Sequence, residues 1–167
     1  MATRIAVLDA GRVQQVGVPE EIYNRPNSRF VADFIGESNF VEIDLSRSEN
    51  GRVYLADGTP LPCATPAPRG ASNRATLMVR PESVNLSAPG DAPAESLRGR
   101  IVQTSFLGSL TRVAVACDPV PDPIVAVLSG RDQMTASELV PDLEVALWWE
   151  REEAVLLNES DPKGGGS

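Results

Sequence analysis

The sequence predicts a mostly β protein: short antiparallel strands that fit one or two small barrels, preceded by a β-hairpin and two short helices. Three observations lead there. Segments of alternating apolar and polar residues recur at short spacing from Asn39 onward. Fourteen prolines and 13 glycines punctuate the 167 residues, as a chain of many short strands and turns requires. The stretch Leu77-Met78-Val79-Arg80-Pro81-Glu82-Ser83-Val84-Asn85-Leu86 alternates, breaks at a proline that cannot donate to a ladder, and resumes at Val84 and Leu86. That is a strand turning a corner, the device by which a small sheet curves. Arg80 and Glu82 flank Pro81 and can pair across the bend, either pinning it or marking a site.

The elements follow in order. Arg4–Leu8 and Arg12–Gly17 flank Asp9-Ala10-Gly11, the pattern of a β-hairpin. Its first strand is apolar at nearly every position, as a strand buried on both faces of a larger sheet would be. No such sheet follows, so the hairpin reads as a piece of a larger unit. Pro19 with Glu20 and Glu21 starts a helix, and Arg25-Pro26 ends it. Val18, at its N-cap, has no side-chain acceptor. A second helix is capped by Asn27 or Ser28, presents Phe30, Val31, Phe34 and Ile35 as one apolar face, and meets Gly36 at its C′ position.

Asn39–Leu45 alternates as a strand, and residues 46–51 are a loop. Val53–Leu55 and Leu61–Cys63 flank the turn signal Asp57-Gly58. Loops rich in Pro, Gly and Ala occupy Ala64–Arg74 and Ala88–Glu95. Leu97–Thr104 is a long strand, turned by Gly108-Ser109 into Leu110–Ala116, with Ile124–Leu128 beyond. Leu143–Trp149 is expected to pair with Ala154–Leu157 across the charged run Glu150–Glu153. Trp148 and Trp149 must face opposite sides of their strand, one in the core and the other exposed or covered. Arg98, Arg100 and Arg112 form either a solvated strand face or a small basic patch.

The inventory removes several chemistries. There is no histidine, the commonest general base and metal ligand. Cys63 and Cys117 have no CxxC companion, which argues against zinc; two buried thiols in a reducing compartment are expected. No run of about 18 apolar residues is present, and the N-terminus lacks the pattern of a secretory signal. The formal charge is −8, carried by the part beyond residue 36, and only eight residues are aromatic. Such a surface repels a phosphate backbone and offers little for stacking, so nucleic acid is not an expected partner.

The stretch RIAVLDAGRVQQVGVPEEIYNRPNSRFVADFIGESNF, from Arg4 to Phe40, resembles the segment that joins the nucleotide-binding domain of bacterial ABC importer ATPases to their C-terminal regulatory domain. The likeness is to the spermidine/putrescine, iron and sugar importer subfamily. VRPE at 79–82, FLGSLTRV at 106–113 and VALWWEREEAVLL at 145–157 resemble the transport-associated OB (TOBE) domain of the same proteins. The family usually carries threonine where this chain has Val18. The resemblance implies OB-fold-like small barrels, with residues 1–36 as the tail of the nucleotide-binding domain, 37–160 as the TOBE domain and 161–167 as a flexible tail or linker scar. It also implies a regulatory and dimerisation role in an importer of polyamine type. The chain would be a homodimer joined through the TOBE domain, working with permease subunits on the cytoplasmic face of the inner membrane without inserting into it.

The structural or regulatory candidates are Arg80, Pro81, Glu82, Gly108 and Trp149. No catalytic, cofactor or metal residue is expected. The family's ATP site needs a P-loop, an acidic Walker B strand and a switch histidine. This sequence has no P-loop, no histidine and a single lysine, Lys163, so ATP and Mg would belong to the parent protein. Leu128-Ser129-Gly130-Arg131-Asp132-Gln133 is similar to the LSGGQ signature, but Arg131 replaces its second glycine and the run reads as a turn. An alternative function is a small-oxyanion module of the molybdate type, through Gly70-Ala71-Ser72-Asn73-Arg74.

Overall fold

A computed structural model describes residues 3–49, 52–64, 73–130, 134–135 and 137–158. The chain opens with β1 (Ile5–Asp9) and β2 (Arg12–Gly17), an antiparallel hairpin whose turn places Ala10 and Gly11 at positive φ. Helices α1 (Pro19–Asn24) and α2 (Arg29–Ile35) follow. Val18 caps α1 without a side-chain bond, and the Ser28 hydroxyl accepts from the Val31 N–H at 3.2 Å to cap α2. Gly36 is extended, with φ near 178°, so α2 does not end in a left-handed turn as its glycine suggests.

The apolar face expected on α2 is split. Val31 and Ala32 are buried, whereas Phe30 and Phe34 stack on each other in solvent at a centroid distance of 5.9 Å. Nor is the hairpin buried on both faces. Val7 packs with Ile22 and Val31 in a small core of its own, while Leu8, Val13 and Val16 are exposed. The hairpin and the helices are also tied by side chains. Gln15 Nε2 donates to the Arg25 carbonyl, Asn27 N–H to Gln15 Oε1, and Asn27 Nδ2 to the Gln14 carbonyl.

Among the described residues, ten further strands form two five-stranded antiparallel sheets. They are β3 (Asn39–Glu49), β4 (Arg52–Tyr54), β5 (Pro60–Pro62), β6 (Arg74–Val79), β7 (Asn85–Ser87), β8 (Leu97–Leu107), β9 (Leu110–Ala116), β10 (Ile124–Ser129), β11 (Glu144–Trp148) and β12 (Ala154–Asn158). One sheet has the order β12-β6-β3-β4-β5, the other β10-β9-β8-β11-β7. The prolines of β5 sit where they cost least, on an edge. Neither order closes on itself, although the second sheet curls enough to bring β10 against β7. Among the described residues the strands thus make two open antiparallel sheets and not the closed small barrel expected. A single hydrophobic core, with Leu61, Leu77, Ile101, Val113 and Leu147 among its members, fills the space between the sheets. On the outer side of the first sheet, Ala32 of α2 covers Met78 and Leu157.

The corner at Pro81 is where the alternation places it. β6 lies in one sheet and β7 in the other, joined by a single 3₁₀ turn, Pro81–Ser83. The hairpin expected between β11 and β12 does not form. β11 pairs with β7 and β8, and β12 pairs with β6 in the other sheet. A tight hairpin of the usual kind needs a residue at positive φ. Glu150–Glu153 has none; it makes a second 3₁₀ turn, Arg151–Glu153, that carries the chain between sheets.

The two corners therefore belong to one bent ribbon, β6–β7 running against β11–β12, with Val79 opposite Ala154 on one side of the bend and Asn85 opposite Trp148 on the other. The residues entering the bends have nearly the same backbone, φ −73° and ψ 144° at Arg80 against −71° and 147° at Glu150. Ser83 Oγ donates to Glu153 at 2.8 Å and ties the turns together. β3 also runs on to Glu49, past the loop expected from residue 46.

Candidate functional site

The corner turns the Arg80 side chain away from solvent, leaving it 4% exposed. Its guanidinium is the most heavily bonded side chain among the described residues. Nη1 donates to the carbonyls of Ala32 (3.0 Å), Gly36 (3.1 Å) and Glu37 (3.2 Å) and to Ser38 Oγ (2.5 Å), and Nη2 donates to the Tyr23 carbonyl (2.8 Å). The guanidinium carbon also lies 4.1 Å from the centre of the Tyr23 ring, a cation–π contact. A planar, five-donor fork suits this node; a lysine ammonium could not span it.

The positions of the acceptors explain why they need a cation. The Ala32 and Gly36 carbonyls belong to the end of α2, where helix carbonyls have lost their intrahelical partners and the helix dipole is negative. Burial pulls the Arg80 pKa down, and the neighbouring Tyr23 and Glu82 push it back up.

Arg80 and Glu82 do not pair across the proline. Pro81 sends them in different directions, and Glu82 instead accepts a hydrogen bond from the Tyr23 hydroxyl. Burial, together with that bond, pushes the Tyr23 phenol up to about 12. Tyr23 thus stands between the two flanking residues: its ring and carbonyl serve Arg80, its hydroxyl Glu82.

The other candidates lie elsewhere. Gly108 turns the β8–β9 hairpin at φ +69°, with open space where a Cβ would sit, beside the exposed Phe106, Leu107 and Leu110. Trp149 is the core member of the tryptophan pair, and its Nε1 donates to the Pro62 carbonyl at 3.0 Å; Trp148 is half-buried. The three arginines do not make one basic patch. Arg112 pairs with Glu37 at 2.5 Å, and Arg100 donates to the Asp142 carbonyl at 3.0 Å beside Glu144. Cys63 and Cys117 are both buried and are not joined in a disulfide, and burial pushes Cys117 up to about 12. Of the loop Gly70–Arg74, residues 70–72 lie outside the described residues, as do residues 131–133 of the LSGRDQ run and the 161–167 tail.

Two further features lie near this node. Asn39, 7% exposed, exchanges two 2.8 Å bonds with the backbone of Val125, pairing its amide to the edge strand β10. Below α1 a cleft of about 700 Å³ is lined by Glu20 and Glu21 on one side and Glu152 and Glu153 on the other, with Met78, Arg80 and Val155 also at its walls.

The family model of the TOBE domain matches residues 77–157, which run from β6 through both corners to β12. This part of the chain is a TOBE domain. Most of the chain is homologous to the C-terminal part of importer ATP-binding proteins. It is 38% identical over 166 residues to the spermidine/putrescine import ATP-binding protein PotA of Acidothermus cellulolyticus, covering 96% of this chain and 42% of that protein. It is 32% identical over 146 residues to the sulfate/thiosulfate import ATP-binding protein CysA 2 of Chromobacterium violaceum, covering 84% of this chain and 38% of that protein. The chain thus spans about two fifths of the length of these relatives. Among solved structures, the cytoplasmic molybdate-binding protein ModG superposes with a TM-score of 0.57 at 12% identity, over 79% of this chain and 97% of that one. That likeness concerns the fold. The TOBE domain supplies Arg80, Pro81 and Glu82 to the node; Tyr23, Gly36, Glu37 and Ser38 come from the segment before it.

Proposed function

We propose that the chain is the regulatory and dimerisation part of an ABC importer ATP-binding subunit, with uptake of polyamine type. The observation that carries this is the alignment of 96% of the chain with the C-terminal part of a spermidine/putrescine import ATP-binding protein. On this reading residues 1–36 close the ATP-binding domain and 37–160 are the regulatory domain. ATP and Mg bind the parent protein and not this chain, permease subunits are the parent's partners, and the assembly stands at the cytoplasmic face of the membrane. The domain would act by coupling: its position would change the ATP-site equilibrium by a free energy that both sites share. Among the described residues, no helix is long and apolar enough to cross a membrane.

The dimer is expected to form through the TOBE sheets and not through the exposed hairpin. Light scattering on the full chain and on Val13→Asp separates the two, because Val13 is 60% exposed on the hairpin and its replacement leaves the sheets intact. A dimer of unchanged strength in both supports the TOBE contact. Dissociation of the variant assigns the contact to the hairpin, and a monomer in both at micromolar concentration refutes dimerisation.

A further inference from the structure

We propose that residues 3–36 form an arm that docks on and releases from the two sheets as one body, with Arg80 as its latch. The proposal goes beyond the regulatory reading and does not depend on it, because it concerns only how this chain is joined.

The arm is a unit in its own right. Val7, Ile22 and Val31 make its core, and Gln14 and Gln15 bind the Arg25 and Asn27 positions, so hairpin and helices are tied independently of the sheets. Its attachments to the sheets are few and lie at its C-terminal end. Ala32 covers Met78 and Leu157, the Arg29 guanidinium lies over the Phe40 ring of β3 at 4.5 Å, Tyr23 reaches Glu82, and the Arg80 fork gathers the carbonyls of Tyr23, Ala32 and Gly36. Only the fork reaches both helices and the chain that follows them.

The acidic cleft beside the fork does not favour docking. Glu20 and Glu21 of α1 line the same cleft as Glu152 and Glu153 of the second corner, and like charges across an open cleft repel. Arg25 is the other cation at that cleft. The Arg80 Nε–H is buried without a partner, so the latch leaves one of its five donors unused. A joint whose hydrogen bonds centre on one buried cation, with repulsion beside it, has the makings of a two-position element.

Hydrogen exchange measured by mass spectrometry on the full chain tests this. In Arg80→Ala the amides of α1 and α2 should exchange about tenfold faster or more, together, while those of β8 and β9 stay within about twofold of the parent chain. Arg80→Lys should not restore protection, since an ammonium cannot serve acceptors spread from Tyr23 to Ser38. Tyr23→Phe keeps the carbonyl contacts and should lie between the two. The unmutated chain gives a reading that needs no variant: raising salt from about 0.05 M to about 0.5 M screens the cleft and should slow exchange in α1. Unchanged helix protection in Arg80→Ala, equal acceleration in helices and sheets, full rescue by lysine, or faster α1 exchange at high salt would each overturn the latch.

Discussion

Replacing Asn39 with alanine is expected to lower the unfolding free energy by about 2–4 kcal/mol, because it leaves two buried backbone groups without partners. The Asn39 amide donates to the Val125 carbonyl and accepts from the Val125 N–H, both at 2.8 Å, and Val125 is itself only 9% exposed. β10 is the edge strand of its sheet, so no neighbouring strand can take over those groups. Asn39→Asp should cost a similar amount, since a carboxylate can accept from the N–H but cannot donate to the carbonyl. Urea unfolding of the three proteins decides it. A midpoint within error of the parent for Asn39→Ala would show that water satisfies Val125 equally well. The bared edge should also raise aggregation, as unpaired strand edges do.

The second large effect is expected at Gly99. A Cβ there would lie 2.5 Å from the Ala116 carbonyl oxygen, 2.6 Å from Cys117 Sγ and 2.7 Å from Val115 Cγ1. None of these can yield cheaply. The first is ladder backbone of β9, and Cys117 and Val115 are in the core. Gly99→Ala should therefore cost about 3 kcal/mol, the upper part of the range for overpacking. Gly108→Ala makes a useful comparison: no atom lies within 4 Å of its Cβ, and only the positive φ penalises it. A smaller loss at Gly99 than at Gly108, measured by the same urea series, would contradict the close-approach account.

What could be read from the residues followed from local period. The strands from β3 to β12 show it, and Pro81 marks its corner because a proline within an alternating run cannot stay in a ladder. The second corner looks like a hairpin turn in the sequence, because Glu150–Glu153 is a short charged run between two apolar strands. Only the pairing of β12 with β6, some 80 residues earlier, distinguishes the two, and that pairing is set by the shared core.

The Arg80 node was legible in one half. An arginine beside a corner proline stands out in the sequence, but four of its five acceptors are backbone carbonyls from residues 23 to 37, and carbonyls carry no sequence signal. Asn39 did carry one. It has the parity of Val41 and Ile43, both buried, so a polar side chain at that position had to find partners inside. Glu37, which pairs with Arg112 of β9, shows the converse. An exposed-looking charge was spent on an arginine 75 positions away, so the three arginines never gathered into a patch.

On the proposed function, this chain is the regulatory part of an ATP-binding subunit and holds no ATP site of its own. Calorimetric titration of the purified full chain with MgATP, run beside a phosphate-release assay, tests it most directly. No saturable heat at millimolar nucleotide and no phosphate release above buffer are expected, because nothing in the sequence supplies a P-loop or its lysine. Saturable binding, or turnover that persists through repurification, would contradict it.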